Sequence, residues 1–270
     1  MSTLELAAPS LPVANVLGVA VHAVNVSTAI EAISSIIDQG QKGYVCVTGV
    51  HGIMEAHRDR EFRNALASAM LVVPDGAPTV WVGRWQGHRY MSRVFGPELM
   101  LEFCNHSVAK GYTHFFYGGQ PGIATELASV MSKRINGLKI VGTYTPPFRP
   151  LNEAEKHDLK RKLEDLKPDV MWVGLSTPKQ EQFMASTIAD LNCRVMVGVG
   201  AAFDFHTGRL KDSPAWMKRA GLQWFHRLCQ EPSRLWKRYL VNNSAFLTKI
   251  TLQLLHVRDY ECEPHPSAHD

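Results

Sequence analysis

Five segments of this chain carry residue types and spacings that could do chemistry. In Val72-Val73-Pro74-Asp75-Gly76-Ala77-Pro78 a carboxylate directly follows an apolar run, in a turn built from proline and glycine. A carboxylate so placed can take a proton from a substrate hydroxyl. On this segment alone an ordinary Asp-Gly turn is the commoner meaning. In Phe116-Tyr117-Gly118-Gly119-Gln120-Pro121-Gly122 an apolar run gives way to glycines and then to an Ala- and Leu-containing helical stretch. Free backbone N–H groups at such a turn, with the helix dipole behind them, favour an anion such as phosphate. The alternative is a tight strand-to-helix turn with no ligand.

The third segment, Val173-Gly174-Leu175-Ser176-Thr177-Pro178-Lys179-Gln180-Glu181, again ends an apolar run in small polar residues and opens a helix. Ser176, Thr177, Lys179 and Gln180 suit phosphate, ribose or sugar hydroxyls, and equally suit a capped helix start with solvated charges. The fourth, Gly198-Val199-Gly200-Ala201-Ala202-Phe203-Asp204-Phe205, allows close backbone approach to a ligand or a neighbouring element. Asp204 there is as well suited to a structural hydrogen bond as to a ligand. The fifth is the tail. Between Gly208 and Leu240 eight basic residues, among them Arg227, Arg234 and Arg238, face two acidic ones, with Trp216, Trp224, Phe225, Trp236 and Tyr239 interleaved. Tryptophan seats at a headgroup interface, and each basic residue beside an anionic leaflet contributes about 1 kcal/mol. A solvated helix with its aromatics on the core, or a nucleic-acid surface, has the same composition. The balanced charge of the remaining chain disfavours nucleic acid.

These segments need elements to position them. Strand-like runs near 16–19, 44–47, 71–73, 114–117, 139–142, 170–174 and 195–199 alternate with helical stripes, such as Ala29, Ile30, Ile33, Ile36 and Ile37, or Leu159, Leu163 and Leu166. Such alternation predicts an α/β fold, a Rossmann-like, mostly parallel sheet with helices on both faces. Ligands then bind beyond the carboxyl ends of the strands, where the first four segments fall. After about residue 207 the strand-like runs stop. The expected organisation is a catalytic α/β unit over 1–207 and a basic, Trp-rich helical appendage over 208–270, its last dozen residues disordered.

Composition narrows the class. With 45% hydrophobic and 20% charged residues and a net charge of +4, the chain is an ordinary globular one. Five scattered cysteines without a C-x-x-C pair favour buried, reduced thiols in the cytoplasm over disulfides or a zinc knuckle. Residues 1–12 lack the pattern of a secretory signal, and no run approaches the ~20 apolar residues of a spanning helix. Any membrane association is therefore peripheral. No D-x-D dyad, H-E-x-x-H, P-loop or G-x-S-x-G is present, so no metal site is assigned. A nicotinamide site would want G-x-G-x-x-G and an acid ending the next strand. Here that strand runs into Gly142-Thr143-Tyr144, so a nucleoside diphosphate fits better.

In order along the chain, these motifs resemble the WecG/TagA/CpsF glycosyltransferase family (glycosyltransferase family 26), over about residues 16–247. The pieces are the strand carrying Thr48, the segment 53–66, Pro74-Asp75-Gly76, Arg93-Val94-Phe95-Gly96-Pro97-Glu98-Leu99, Tyr117-Gly118-Gly119, Gly174 through Glu181, and Glu231 through Leu240. The resemblance implies an inverting, metal-independent and cofactor-free transfer from a UDP-sugar to an undecaprenyl-diphosphate-linked sugar in cell-surface polysaccharide assembly. It places the catalytic aspartate on Asp75, the active-site threonine and glutamine on Thr48 and Gln180, and membrane-side arginines on Arg227, Arg234 and Arg238. Many members follow the threonine with Leu-Asn or Pro-Asn; this chain reads Thr48-Gly49-Val50-His51-Gly52. That variant resembles an exopolysaccharide branch with a xanthan-type glucosyltransferase. With Val50 in the asparagine place, a donor or acceptor contact is changed or moved to His51, and glucose joins N-acetylmannosamine and its uronic acid as expected donors. The implied partners are the sugar nucleotide, the lipid-linked acceptor and the inner face of the cell membrane, with a homo-oligomer left open. The rival from another class is a non-catalytic basic module that binds membranes or polyanions.

Overall fold

The computed structural model describes residues 11–262, apart from the side chains of Ala215, Arg219, Arg234 and Arg238. Residues 1–10, and the last eight residues of the end expected to be disordered, therefore lie outside the described residues. Strands β3 (Gly43–Thr48), β4 (Leu71–Pro74), β5 (Thr113–Gly118), β6 (Lys139–Tyr144), β7 (Val170–Gly174) and β8 (Val195–Gly198) form one sheet in the order β4-β3-β8-β7-β5-β6. Every neighbouring pair is parallel. A parallel sheet is covered on both faces, which is why its strands read as nearly continuous apolar runs.

Alternate side chains divide between two cores. Tyr44, Cys46, Phe115, Tyr117, Met171, Val173 and Met196 enter one. Val45, Phe116, Val170, Trp172, Val195 and Val197 enter the other. Helices α1 (Val26–Asp38), α5 (Gly96–Lys110), α6 (Ile123–Arg134) and the short α9 (Ala202–His206) cover the second face. Helices α2 (Val50–Ala56), α3 (Arg60–Ala67), α7 (Glu153–Leu166) and α8 (Lys179–Thr187) cover the first, while α4 (Ala77–Trp85) follows the edge strand β4. The expected α1 stripe is buried at Ala29, Ile33, Ile36 and Ile37.

One strand reads differently in three dimensions. Residues 16–19 are no strand of the sheet but the corner of an antiparallel hairpin, β1 (Val13–Val16) and β2 (Val19–His22). Leu17 and Gly18 both have positive φ, 55° and 82°, the two-residue turn that matches strand twist. An apolar run hides such a turn because Leu17 is buried. Cysteines also divide: Cys46, Cys104 and Cys193 are buried thiols, but Cys229 is exposed.

The chain beyond residue 207 forms α10 (Ala215–Arg219), α11 (Gln223–Gln230) and the long α12 (Pro232–Leu254). Phe246 and Ile250 of α12 join the core beside Ile53 and Met54 of α2. Gln253 and the backbone at Tyr260 then hydrogen-bond to the hairpin, at Leu17 and Asn15.

A buried polar chain tests the fold by pH. The Trp172 indole N–H donates to His114 Nδ1 (3.0 Å), and His114 Nε2 lies 2.7 Å from Ser107 Oγ. Indole only donates, so the ring is neutral with its proton on Nε2. Burial lowers the His114 pKa from 6.5 to about 4. The unfolded chain therefore binds a proton below pH 6.5 that the folded one refuses. The stabilisation is complete above that pH and is lost as pH falls towards 4, by roughly 3 kcal/mol. Thermal midpoints should fall from pH 7 to 4, and His114→Gln should flatten the fall; an equally steep fall in the variant would reject this origin.

Candidate active site

The carboxyl ends of all six parallel strands open on one side, as expected for this topology. At the end of β4 the Asp75 N–H donates to the Thr48 carbonyl (2.8 Å), extending the ladder one residue beyond the strands. Gly76 has φ 90°, and α4 starts at the next residue with Pro78 in its first turn. The Thr79 hydroxyl donates to the carbonyls of Asp75 (3.2 Å) and Gly76 (2.9 Å), fastening the turn. A Cβ on Gly49 would lie 2.6 Å from the Asp75 carbonyl oxygen, so glycine alone lets these two loops meet. The turn thus holds Asp75, half-buried, in the wall of a cleft of about 2190 Å³. A single small ligand usually occupies ~300–1,000 Å³, so there is room for two substrates.

Three other strand ends complete the wall. Gly118, φ 127°, lets β5 approach β7: a Cβ there would lie 2.5 Å from the Gly174 carbonyl oxygen. The next residue, Gly119, donates its N–H to that carbonyl (3.1 Å) and lines the cleft with Gln120. After β7, Ser176 takes φ 70°, unusual for a residue with a Cβ and a conformation found at functional turns. Gln180 and Glu181, both almost fully buried, clamp the loops. Gln180 Oε1 accepts from Gly200 N–H (3.0 Å) and its Nε2 donates to Glu181 Oε1 (3.0 Å), which also accepts from the Thr177 hydroxyl (2.8 Å). Gln180 therefore ties the loop after β7 to the loop after β8 while facing the cleft. Asp204 lines it too, and its carbonyl accepts from the N–H groups of Arg209 and Leu210.

The structure brings Asp75, His51, Gly119, Ser176, Thr177, Lys179, Gln180 and Arg227 to one cleft. Thr48 and Gly118 sit just beneath its surface. Thr48 is 2% exposed, its methyl against Gly52, and its hydroxyl has no hydrogen-bond partner among the described residues. Arg234 and Arg238 fall on α12, their side chains outside the described ones.

Positive charge surrounds the space. Lys179 lies over the Phe148 ring (6.0 Å), and Arg227 lies over Phe205 (5.5 Å) with Glu231 at 3.6 Å. Arg149 is committed elsewhere, gripping Glu155 with two bonds of 2.7 and 2.8 Å. Those bonds and the Asn152 N–H hold the Glu155 pKa at about 2. Arg93 was not singled out as a site residue. The Val94 N–H donates to the Pro74 carbonyl (2.8 Å), so segment 93–95 runs beside the Asp75 turn. Arg93 then lies over Phe95 (4.7 Å) and lines the cleft. Its only sequence signal is its place in the Arg93–Leu99 motif.

Trp216, Trp224 and Trp236 are exposed, as are Trp81 and Trp85 of α4. A Cβ on Gly221 would lie 3.4 Å from the Trp81 ring, so α4 adjoins the turn between α10 and α11. The α4 aromatics escaped sequence reading, although residues 77–97 hold two tryptophans and three arginines without one acid. Among the described residues no helix is long and apolar enough to cross a membrane, and no three His, Cys, Asp or Glu side chains gather as a metal site.

A carboxylate facing cationic walls across space for two ligands can take a proton from one substrate while an anionic group departs from the other. Comparison with known proteins gives the family. Residues 14–260 match the family model described as glycosyl transferase WecG/TagA/CpsF family. An N-acetylglucosaminyldiphosphoundecaprenol N-acetyl-beta-D-mannosaminyltransferase of Bacillus subtilis (strain 168) is 28% identical over 204 residues, 76% of this chain and 77% of that one. A protein of the same name from Bacillus spizizenii (strain W23) is 27% identical over 229 residues, 85% of each chain.

Proposed function

Since the chain belongs to the WecG/TagA/CpsF family of glycosyl transferases, we propose that it moves a sugar from a UDP-sugar to an undecaprenyl-diphosphate-linked sugar during cell-surface polysaccharide or exopolysaccharide synthesis. The observation that carries this reading is the cleft that joins Asp75 to Lys179, Arg93 and Arg227 in a volume sufficient for both substrates. The Asp75 carboxylate takes the proton of the acceptor hydroxyl as that oxygen bonds to the anomeric carbon. The bond from that carbon to the diphosphate breaks on the opposite side, and UDP leaves with the electron pair. The anomeric configuration inverts. Lys179, Arg93 and Arg227, with the N-terminus of α8, offset the charge that develops on UDP. The reaction so written needs no metal and no organic cofactor.

The names of the two Bacillus proteins support N-acetylmannosamine as the donor sugar and an N-acetylglucosamine-capped lipid diphosphate as the acceptor. The Thr48-Gly49-Val50-His51 sequence keeps its uronic acid and glucose in contention. The test is UDP release from a panel of these UDP-sugars with a lipid-diphosphate acceptor. Acceptor-dependent release from one donor is expected. Salt-sensitive polyanion binding without any release would support the non-catalytic module instead.

The exposed tryptophans, with the basic residues around them, support peripheral contact with the inner face of the cell membrane. Trp216→Ser with Trp236→Ser should lower sedimentation with anionic liposomes about tenfold or more, given ~1.5–3 kcal/mol for each large apolar group withdrawn from water. Transfer to a short-chain, water-soluble acceptor should persist. Undiminished liposome binding would remove these residues from the membrane contact.

A further inference from the structure

A chain of three side chains links the cleft to the last long helix. His51 lies in the first turn of α2, two residues after the Gly49 that abuts Asp75, and lines the cleft. Asn242, buried in the middle of α12, lines the same cleft. Its Nδ2 lies 2.9 Å from His51 Nδ1, and its Oδ1 accepts from Arg58 Nη2 at 2.6 Å.

Chemistry sets the direction of these bonds. A guanidinium only donates, so the Asn242 atom facing Arg58 is the carbonyl oxygen. The amide NH₂ must then face His51. An NH₂ group also only donates, so His51 Nδ1 meets it with a lone pair. An imidazole with a bare Nδ1 is neutral and carries its one proton on Nε2. The order of donation runs from Arg58 through Asn242 to His51, and Arg58 is itself steadied by Glu55 at 3.6 Å.

We propose that Asn242 is a positioning residue for the transfer reaction, holding His51 as the neutral Nε2–H tautomer. The cleft wall that carries Asp75 then presents the substrates with a hydrogen-bond donor that is neither a second base nor a cation. Both exclusions matter to the chemistry. A second base would compete for the acceptor proton, and an imidazolium near Asp75 would weaken the carboxylate as a base. A locked N–H can hold an oxygen of the bound sugar nucleotide without either effect. The proposal rests on reading the cleft as a UDP-sugar transferase site.

The experiment is ¹⁵N NMR of the imidazoles in the full-length protein, with the His51 signal assigned by its loss in His51→Ala. The wild type should show a bare, pyridine-like Nδ1 and a protonated Nε2 at neutral pH. In Asn242→Asp the carboxylate accepts from both Arg58 and His51, so the proton should move to Nδ1. With it, kcat/KM for the UDP-sugar should fall about tenfold, the scale of one hydrogen bond. Asn242→Leu, which can do neither, should release the tautomer and lose activity to a similar extent.

A wild-type ring protonated on Nδ1 overturns the proposal, and this can be read from the wild type and His51→Ala even if neither Asn242 variant folds. So does a proton that moves in Asn242→Asp while transfer stays unchanged. A wild-type protein that releases UDP from no donor overturns the reading beneath, and the positioning role with it, whatever the tautomer.

Discussion

Asp75→Asn should lower kcat by about 10²- to 10⁴-fold, the usual contribution of a general base, while UDP affinity stays within about twofold. The amide has the shape of the carboxylate but cannot take the acceptor proton. Three contacts that build the turn run through the backbone, from Asp75 N–H to Thr48, from its carbonyl to Thr79, and at the close approach of Gly49, and the amide keeps all three. The variant should therefore fold and hold UDP as the wild type does. Single-turnover transfer and UDP titration, with melting curves for both proteins, separate chemistry from binding and folding. Transfer near the wild-type rate would remove Asp75 as the base and turn attention to Asp204, another carboxylate of the cleft.

Ending the chain after Gly208 should prevent folding, and should not leave a soluble core merely detached from membranes. Leu235, Phe246 and Ile250 are buried in the intact protein, the last two against α2. At ~1.5–3 kcal/mol for each such side chain, their loss removes roughly 5–9 kcal/mol of burial. A whole domain commonly has only ~5–15 kcal/mol of stability. The truncation also strips the hairpin of the bonds that Gln253 and Tyr260 make to Leu17 and Asn15. Circular dichroism melts of the purified protein decide the matter. A cooperative transition within about 5 °C of the full-length value would mark the chain after Gly208 as separable. Because truncation confounds folding with membrane contact, tryptophan substitutions are the cleaner probe of the membrane.

Both outcomes bear on what could be read before folding. The strands of the sheet other than β6 were legible because a parallel strand covered on both faces must be apolar along its length, while edge strand β6, read over 139–142, has no fully buried residue. The hairpin corner was not, because burial of Leu17 makes a turn resemble a strand. Asp75, Gly119, Lys179 and Gln180 were legible as cleft residues, since each follows a strand at the edge where this topology collects ligands. Beyond residue 207, where the residue types change, α12 packs Phe246 and Ile250 into the core, a contact that composition does not record.

By itself the sequence determined the alternating α/β order, the strand-end loops and the family to which they belong. These rest on local periodicity and on short motifs whose order survives in one dimension. Tertiary structure alone decided that Gly118 must let two strand ends touch, that Arg93 reaches the Asp75 turn and that Trp81 and Trp85 extend the aromatic surface. It also brought Asn242, 191 residues from His51 along the chain, to within 2.9 Å of Nδ1 of that ring. Such facts depend on distances between segments remote in sequence, and packing of the whole chain is what sets those distances.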